Sequence, residues 1–295
     1  MPEILVSLCN RTDGEPALVR VDTGSGSIEP VWIAEPGLGA TGLLRVGGRI
    51  YVVLRAQARS TSEPERSDIA VLCAKTLREL DRWRVPDAAD LHSLACDGDT
   101  LYAVSTGTDE LLALPLDGPG RGTVTWRPAG ATDRLDGHHL NGLLLADGEL
   151  YISGFGPKPA GADWKEARDG FLCRIDGPVL RQGLRHPHSI LELDTTFVIC
   201  ESPSRLALAL DGRRSDTLPG YTRGLCLADD ALYVGTSMGR RRSKSTGTLN
   251  NLAAPGGFAV EGACALVRLD PATLSLSSTL SLAAYGRELY DLLPL

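Results

Sequence analysis

The feature that most constrains this chain is a repeat. A tight polar turn followed by a short apolar strand recurs along its 295 residues, as VGGRIYVVL, CDGDTLYAVS, ADGELYISG, LDTTFVIC and ADDALYVGTS. One strand-like segment precedes each turn and two more follow the strand, so the unit has four strands. The N-terminus offers only three, ILVSLC and then ALVRVDTGSGSIEPVWIAEP as two strands around a Gly/Ser turn. The closing ELYDLLPL reads as a first strand with no partners after it. Joined, the two ends complete one unit. Six units of roughly 49 residues match the spacing of propeller blades. The expected fold is therefore all-β, a six-bladed β-propeller spanning 1–295 as one domain. Closure is expected from the strand at 289–294 pairing beside the strand at 4–9. Helical periodicity in TLRELDRW and AAYGREL is short and lies between strand signals.

The repeat also writes a ring of side chains. Counting back ten residues from Tyr51, Tyr102, Tyr151, Val198 and Tyr233 gives Thr41, His92, Asn141, His188 and Arg223, and Tyr290 is the matching residue of the closing strand. Two residues upstream lies a second tier: Gly39, Asp90, His139, His186, Tyr221 and Glu288. Residues two apart on an extended strand share a face, so both tiers are expected at one end of the inner strands. Four of the five histidines of the protein fall on these tiers and the fifth, His138, is adjacent to one.

Imidazole is a common ligand of transition metals, and a carboxylate can complete such a site. The tiers thus predict a divalent metal, iron, zinc or manganese, held by His92, His139, His186, His188 and Glu288, with Asp90 as a second candidate carboxylate. The competing reading is a polar channel whose histidines are simply hydrogen-bonded. Arg223 is a candidate anchor for a carboxylate or phosphate, or else a partner for Glu288. Tyr221 and Tyr290 are candidates for proton handling, with Asn141 and Asp90 beside them. Ser189 is expected on the opposite side of its strand, and no GxSxG or phosphate-binding glycine loop occurs.

Three long connections, 54–68, 154–170 and 236–263, follow second strands and are expected over the same mouth as the ring, as a lid or as surface insertions. The run RRRSK at 240–244 reads as a solvated loop or an anion-attracting patch.

Composition narrows the partners. A net charge of −7 and a pI near 5.3 argue against a nucleic-acid surface. No apolar run reaches transmembrane length, and MPEILVSLCN lacks the basic start and cleavage site of a signal peptide, so a cytoplasmic protein without membrane contact is expected. The seven cysteines form no CxxC pair and sit mostly in apolar strand-like runs, which predicts free thiols.

The elements ILVSLCN, HHLNGL, HPHS, GYTRGL and ELYDLLPL together resemble the landmarks of an uncharacterised bacterial propeller family, a domain of unknown function. The resemblance runs from end to end and supports the fold; it implies no reaction. After HPHS this chain has Ile190-Leu191 where that family usually has a proline and an arginine. In architecture it is more distantly similar to gluconolactonase and paraoxonase-type propellers. That similarity implies an axial divalent metal held by carboxylates and asparagines, whereas the ring here is richer in histidine. Two function classes are open. One is a metal-dependent enzyme acting on a small polar or anionic molecule in the central channel by hydrolysis, elimination, isomerisation or oxygen chemistry. The other is a non-catalytic propeller that binds a small ligand or a protein partner on its top face.

Overall fold

A computed structural model describes residues 2–12, 14–32, 34–35, 37–56, 67–131, 136–159, 166–239 and 262–295. Six antiparallel sheets follow one another around an axis. Blade 1 contains β1 (Glu3–Cys9), β2 (Leu18–Asp22) and β3 (Ile28–Trp32). Blade 2 is β4 (Leu38–Val46), β5 (Arg49–Ala56), β6 (Ser67–Cys73) and β7 (Glu79–Arg84). Blade 3 is β8 (Leu91–Asp97), β9 (Thr100–Ser105), β10 (Glu110–Pro115) and β11 (Thr123–Trp126). Blade 4 is β12 (Leu140–Ala146), β13 (Glu149–Gly154), β14 (Gly170–Arg174) and β15 (Val179–Leu184). Blade 5 is β16 (Pro187–Leu193), β17 (Thr196–Glu201) and β18 (Leu206–Ala209). Blade 6 is β19 (Tyr221–Ala228), β20 (Ala231–Ser237), β21 (Ala265–Leu269) and β22 (Leu276–Ser281).

The last strand, β23 (Glu288–Pro294), is the inner strand of blade 1 and pairs with β1, with Ile4 opposite Pro294 and Cys9 opposite Glu288. The expected closure is thus present. Blade 5 departs from the four-strand expectation. Its fourth segment, DGRRSDTLP, is polar and lacks an apolar alternation, and it contributes only a bridge between Leu208 and Arg214.

The core is divided into six slabs, one between each pair of neighbouring blades. Strands near the axis are therefore buried on both faces, which is why ILVSLC has a single polar residue, Ser7, instead of alternating. Ile4, Val6 and Leu8 pack toward blade 6, while Leu5 packs toward blade 2.

Hydroxyls stitch the blades into a closed belt. Ser7 Oγ donates to Thr41 O at 2.6 Å, Thr41 Oγ1 to Leu91 O at 2.9 Å, and Thr106 Oγ1 to Leu140 O at 2.6 Å. Ser153 Oγ continues to Pro187 O at 3.4 Å, Ser202 Oγ to Thr222 O at 2.6 Å, and Ser237 Oγ to Leu289 O at 2.8 Å. Each bond crosses from one blade to the next, and the last returns to blade 1.

All seven cysteines are free, as expected, and five of them are buried. Among the described residues no helix is long and apolar enough to cross a membrane.

Candidate functional site

The ring residues project from a shared irregularity. In every blade the register between the inner strand and its neighbour slips at the ring position, between Ala40 and Leu43, Leu91 and Leu94, Leu140 and Leu143, His188 and Ile190, Arg223 and Leu225, and opposite Val6 and Leu8 in the closing blade. Such a bulge bends the strand and re-aims one side chain. The belt then holds it: five of the six hydroxyls bond the carbonyl immediately before the ring residue, at Leu91, Leu140, Pro187, Thr222 and Leu289.

The second tier is not built as simple alternation predicts. Asp90, His139 and His186 precede their strands and adopt left-handed backbone, with φ of 51°, 49° and 44°. Three such residues in consecutive blades, none of them glycine, mark a locally strained rim of the kind that gathers at functional sites. The tiers nevertheless meet. His92 and His139 lie 5.7 Å apart between ring centroids, His92 and Tyr290 5.0 Å, and His188 and Tyr221 5.4 Å. Thr41 spends its hydroxyl on the belt and Gly39 faces Arg55 across the blade, so neither adds a chemical group.

Two networks divide the cluster. In the first, Tyr290 donates to Asn141 Oδ1 at 2.8 Å, Asn141 Nδ2 meets His92 Nδ1 at 3.2 Å, and His92 Nε2 meets Asp90 Oδ1 at 3.1 Å. Arg55 Nε closes the chain on Asp90 at 2.7 Å. Burial alone would raise the Asp90 carboxyl, but the charges of Arg55 and His92 outweigh it and hold Asp90 below the usual carboxylate range. His92 is pushed below the usual imidazole range by burial, only partly opposed by Asp90. Thr106 Oγ1 also sits 2.8 Å from His92 Nδ1, so both nitrogens of this ring are occupied.

The second network surrounds His188 and Arg223. His188 Nδ1 lies 3.0 Å from His186 O and 2.8 Å from Ser202 Oγ, whose own proton goes to Thr222 O. Both neighbours accept, so Nδ1 carries the hydrogen and Nε2 keeps a lone pair. Among the described residues nothing bonds that Nε2. Burial, then the Arg223 charge, hold His188 well below the usual imidazole range, and the lone pair is available at neutral pH. The Arg223 guanidinium packs 5.1 Å from the Tyr221 ring and 5.6 Å from the Tyr290 ring. Its Nη1 reaches Cys9 Sγ at 3.5 Å and Glu288 Oε2 at 3.6 Å, while its buried Nε has no hydrogen-bond partner among the described residues. Burial opposes the Arg223 charge, and Cys9 and Glu288 more than restore it. Asn10 Nδ2 supports Glu288 at 3.0 Å. Tyr221 OH meets His186 Nδ1 at 3.3 Å, and burial raises the Tyr290 phenol well above its usual range, keeping it a neutral donor.

The expected iron, zinc or manganese centre does not match this arrangement of donors. Among the described residues no three of His, Cys, Asp or Glu are placed to share an ion. The Phe155 ring packs against three of these histidines, 4.4 Å from His139, 4.4 Å from His186 in a parallel stack and 5.2 Å from His188. His92 is fully engaged, His139 Nδ1 is held by Asp136 at 2.8 Å, and Glu288 is spent on Arg223 and Asn10.

Sequence reasoning missed Phe155, Thr106, Ser202, Cys9 and Arg55. All sit at the end of a second strand or just beyond it, opposite the upper tier; Gly39 faces Arg55 and Glu288 faces Cys9. A count of fourteen residues forward from Thr41, His92, Asn141 and His188 reaches Arg55, Thr106, Phe155 and Ser202. Ser189 does turn away from the cluster, accepting Gly224 N–H at 3.0 Å. Most of the three long connections, and all of RRRSK, lie outside the described residues. Their anchoring strand ends, Arg55, Gly154 and Ser237, are paired with the starts of inner strands, at the end where the cluster sits.

A family model described as a domain of unknown function (DUF4915) matches residues 81–295. No curated protein matches the chain. Among solved structures, a chain of a nidogen/laminin complex is similar with a TM-score of 0.64 and 14% identity, over 99% of this chain and 97% of that one. A candidate 6-phosphogluconolactonase of Bacteroides fragilis is similar with a TM-score of 0.54 and 13% identity, over 100% and 98%. A protein of Lactobacillus plantarum gives 0.56 and 12%, over 100% and 99%. At these identities the likeness concerns the fold.

Proposed function

We propose, from the premise that this chain belongs to the DUF4915 family, that its axial cluster is the active site of an enzyme that moves a proton on a small anionic molecule. One observation carries the reading. Two groups with spare hydrogen-bonding capacity and opposite character, the His188 Nε2 lone pair and the Arg223 guanidinium, lie against the same two tyrosine rings, Tyr221 and Tyr290. Arg223 would anchor the anionic group and His188 would take the proton as a general base. Burial, helped by the Arg223 charge that holds the anion, keeps the imidazole neutral, so its lone pair is available where the anion binds. Tyr290, whose proton goes to Asn141 Oδ1, would form the wall between anchor and base, held by the Asn141–His92–Asp90–Arg55 chain. Tyr221 and His186 form the neighbouring hydroxyl–imidazole pair, and His139 closes the far wall beside Phe155. Hydrolysis, elimination and isomerisation all fit these roles.

The test is a screen of lactones, hydroxy acids and keto acids in D2O, followed by NMR for ring opening or C–H exchange, before and after dialysis against EDTA. Turnover is expected to survive the chelator and to be lost in His188→Gln and Arg223→Met with circular dichroism unchanged. Turnover unaffected by both substitutions overturns the assignment. Turnover lost to EDTA and restored by iron, zinc or manganese returns the site to metal chemistry, and ligand binding without turnover favours the binding propeller.

A further inference from the structure

The anion-binding edge of Arg223 has a charge environment that selects among anions. Two buried or largely buried cations face the cluster, Arg55 and Arg223, and each already has a carboxylate, Asp90 at 2.7 Å and Glu288 at 3.6 Å. The Arg55 charge is paired with Asp90, which also takes His92. The Arg223 Nη1 serves Cys9 and Glu288, while no hydrogen bond among the described residues engages its Nη2 or its buried Nε. These two N–H groups form the side-on fork of a guanidinium, the geometry that receives the two oxygens of a planar carboxylate. A further carboxylate, Asp136, sits on His139 at 2.8 Å.

We infer that the group held by Arg223 is the carboxylate of a small organic acid, a monoanion, and not a phosphate ester. This rests on the reading of Arg223 as the anchor. Counting the two ion pairs alone, a monoanion at the fork leaves the balance one unit negative. A phosphate ester carries close to two charges at neutral pH, and its second charge would face Glu288 and Asp90 with both cations already paired to a carboxylate. In a buried setting such like-charge proximity is weakly screened. Selection therefore acts against the phospho group that figures in the names of the structural neighbours.

The experiment uses the full chain and four probes at constant ionic strength: acetate, methanesulfonate, sulfate and inorganic phosphate. Binding is read from the NMR shift of the His188 imidazole, assigned by its loss in His188→Gln. Acetate is expected to bind about tenfold or more tighter than sulfate and phosphate, and tighter than tetrahedral methanesulfonate, with all binding lost in Arg223→Met. Glu288→Gln, which removes one negative charge with little change of shape, should move the acetate-to-sulfate ratio toward sulfate, because the dianion gains twice the Coulomb benefit. Sulfate, phosphate or methanesulfonate binding as tightly as acetate through Arg223 overturns the carboxylate assignment and leaves the anchor in place. Anion binding that persists in Arg223→Met, or none in the wild-type chain, overturns the anchor itself.

Discussion

Replacing Ser7 with alanine tests whether the hydroxyl belt holds the ring together. Ser7 is fully buried. Its Oγ donates to Thr41 O at 2.6 Å in blade 2 and accepts Asp291 N–H at 2.9 Å in the closing strand. One atom thus joins the first strand of the chain, the last, and the next blade. Alanine keeps the packing but removes both bonds, leaving a buried carbonyl and a buried N–H to lose their partner. Each such loss costs about 1–3 kcal/mol, so the pair should cost roughly 3 kcal/mol. With an unfolding entropy of about 2.1 cal/mol/K per residue, a chain of this length loses about 0.6 kcal/mol of stability per degree near its midpoint. The expected drop in Tm is therefore roughly 5 °C by calorimetry. The control is Ser25→Ala, an exposed turn serine bonded to Asp22, whose effect should stay within about 0.5 kcal/mol. A Ser7→Ala midpoint indistinguishable from that control would show that the belt bond contributes nothing beyond packing.

Two further outcomes follow from the closing strand. Burial raises the Asp291 carboxyl to about 7, against backbone bonds from Leu43 and Leu292 that pull it down. The native state then binds its proton more tightly than the unfolded chain, whose value is about 3.9, so this stabilising contribution is complete at low pH and is lost as pH rises through 7. Wild-type Tm should decline between pH 5 and pH 8 relative to Asp291→Asn; parallel curves for the two proteins refute the assignment. Removing residues 288–295 strips β1 of its inner partner and takes away four of the apolar residues that pack between blades 6 and 1 or 1 and 2, Leu289, Leu292, Leu293 and Leu295. The truncated chain should fail to give a cooperative thermal transition, and a sharp one within a few degrees of the full-length protein would mean that the ring closes without its last strand.

Much of this architecture is legible in the sequence because propeller repeats keep register. The count of ten residues from Tyr102 to His92 and from Tyr151 to Asn141 spans the bulge in each inner strand, and since every blade carries the bulge at the same place, the count stays in phase. What the count cannot read is backbone hand. His186 and His188 look like same-face neighbours on a strand, yet Pro187 begins β16 and His186 sits before it in left-handed backbone. The metal expectation rests on residue type alone. Residue type places imidazoles at the rim, but their nitrogens are directed by Thr106, Asp136 and Ser202, and Phe155 packs against three of the rings. Those partners come from other strands and loops, and one of them, Phe155, has no chemical signature of its own. The missing fourth strand of blade 5 was obscured because nine mostly polar and turn-forming residues can close a blade with a single bridge.

The same contacts that close the ring also shape the site, and Gly42 shows how. It follows the ring residue Thr41, and a Cβ there would lie 2.1 Å from His92 O of the next blade. Only glycine lets the two inner strands approach so closely, and that approach lets Thr41 Oγ1 reach Leu91 O, the carbonyl adjacent to His92. Ser202 does the equivalent on the other side of the axis. Its single hydroxyl ties blade 5 to Thr222 of blade 6 and at the same time fixes the His188 tautomer. Arg223, the residue after Thr222, is thereby set against the same histidine whose lone pair the tautomer exposes. In the proposed reading, base and anchor are therefore tied together by one hydroxyl shared between two blades.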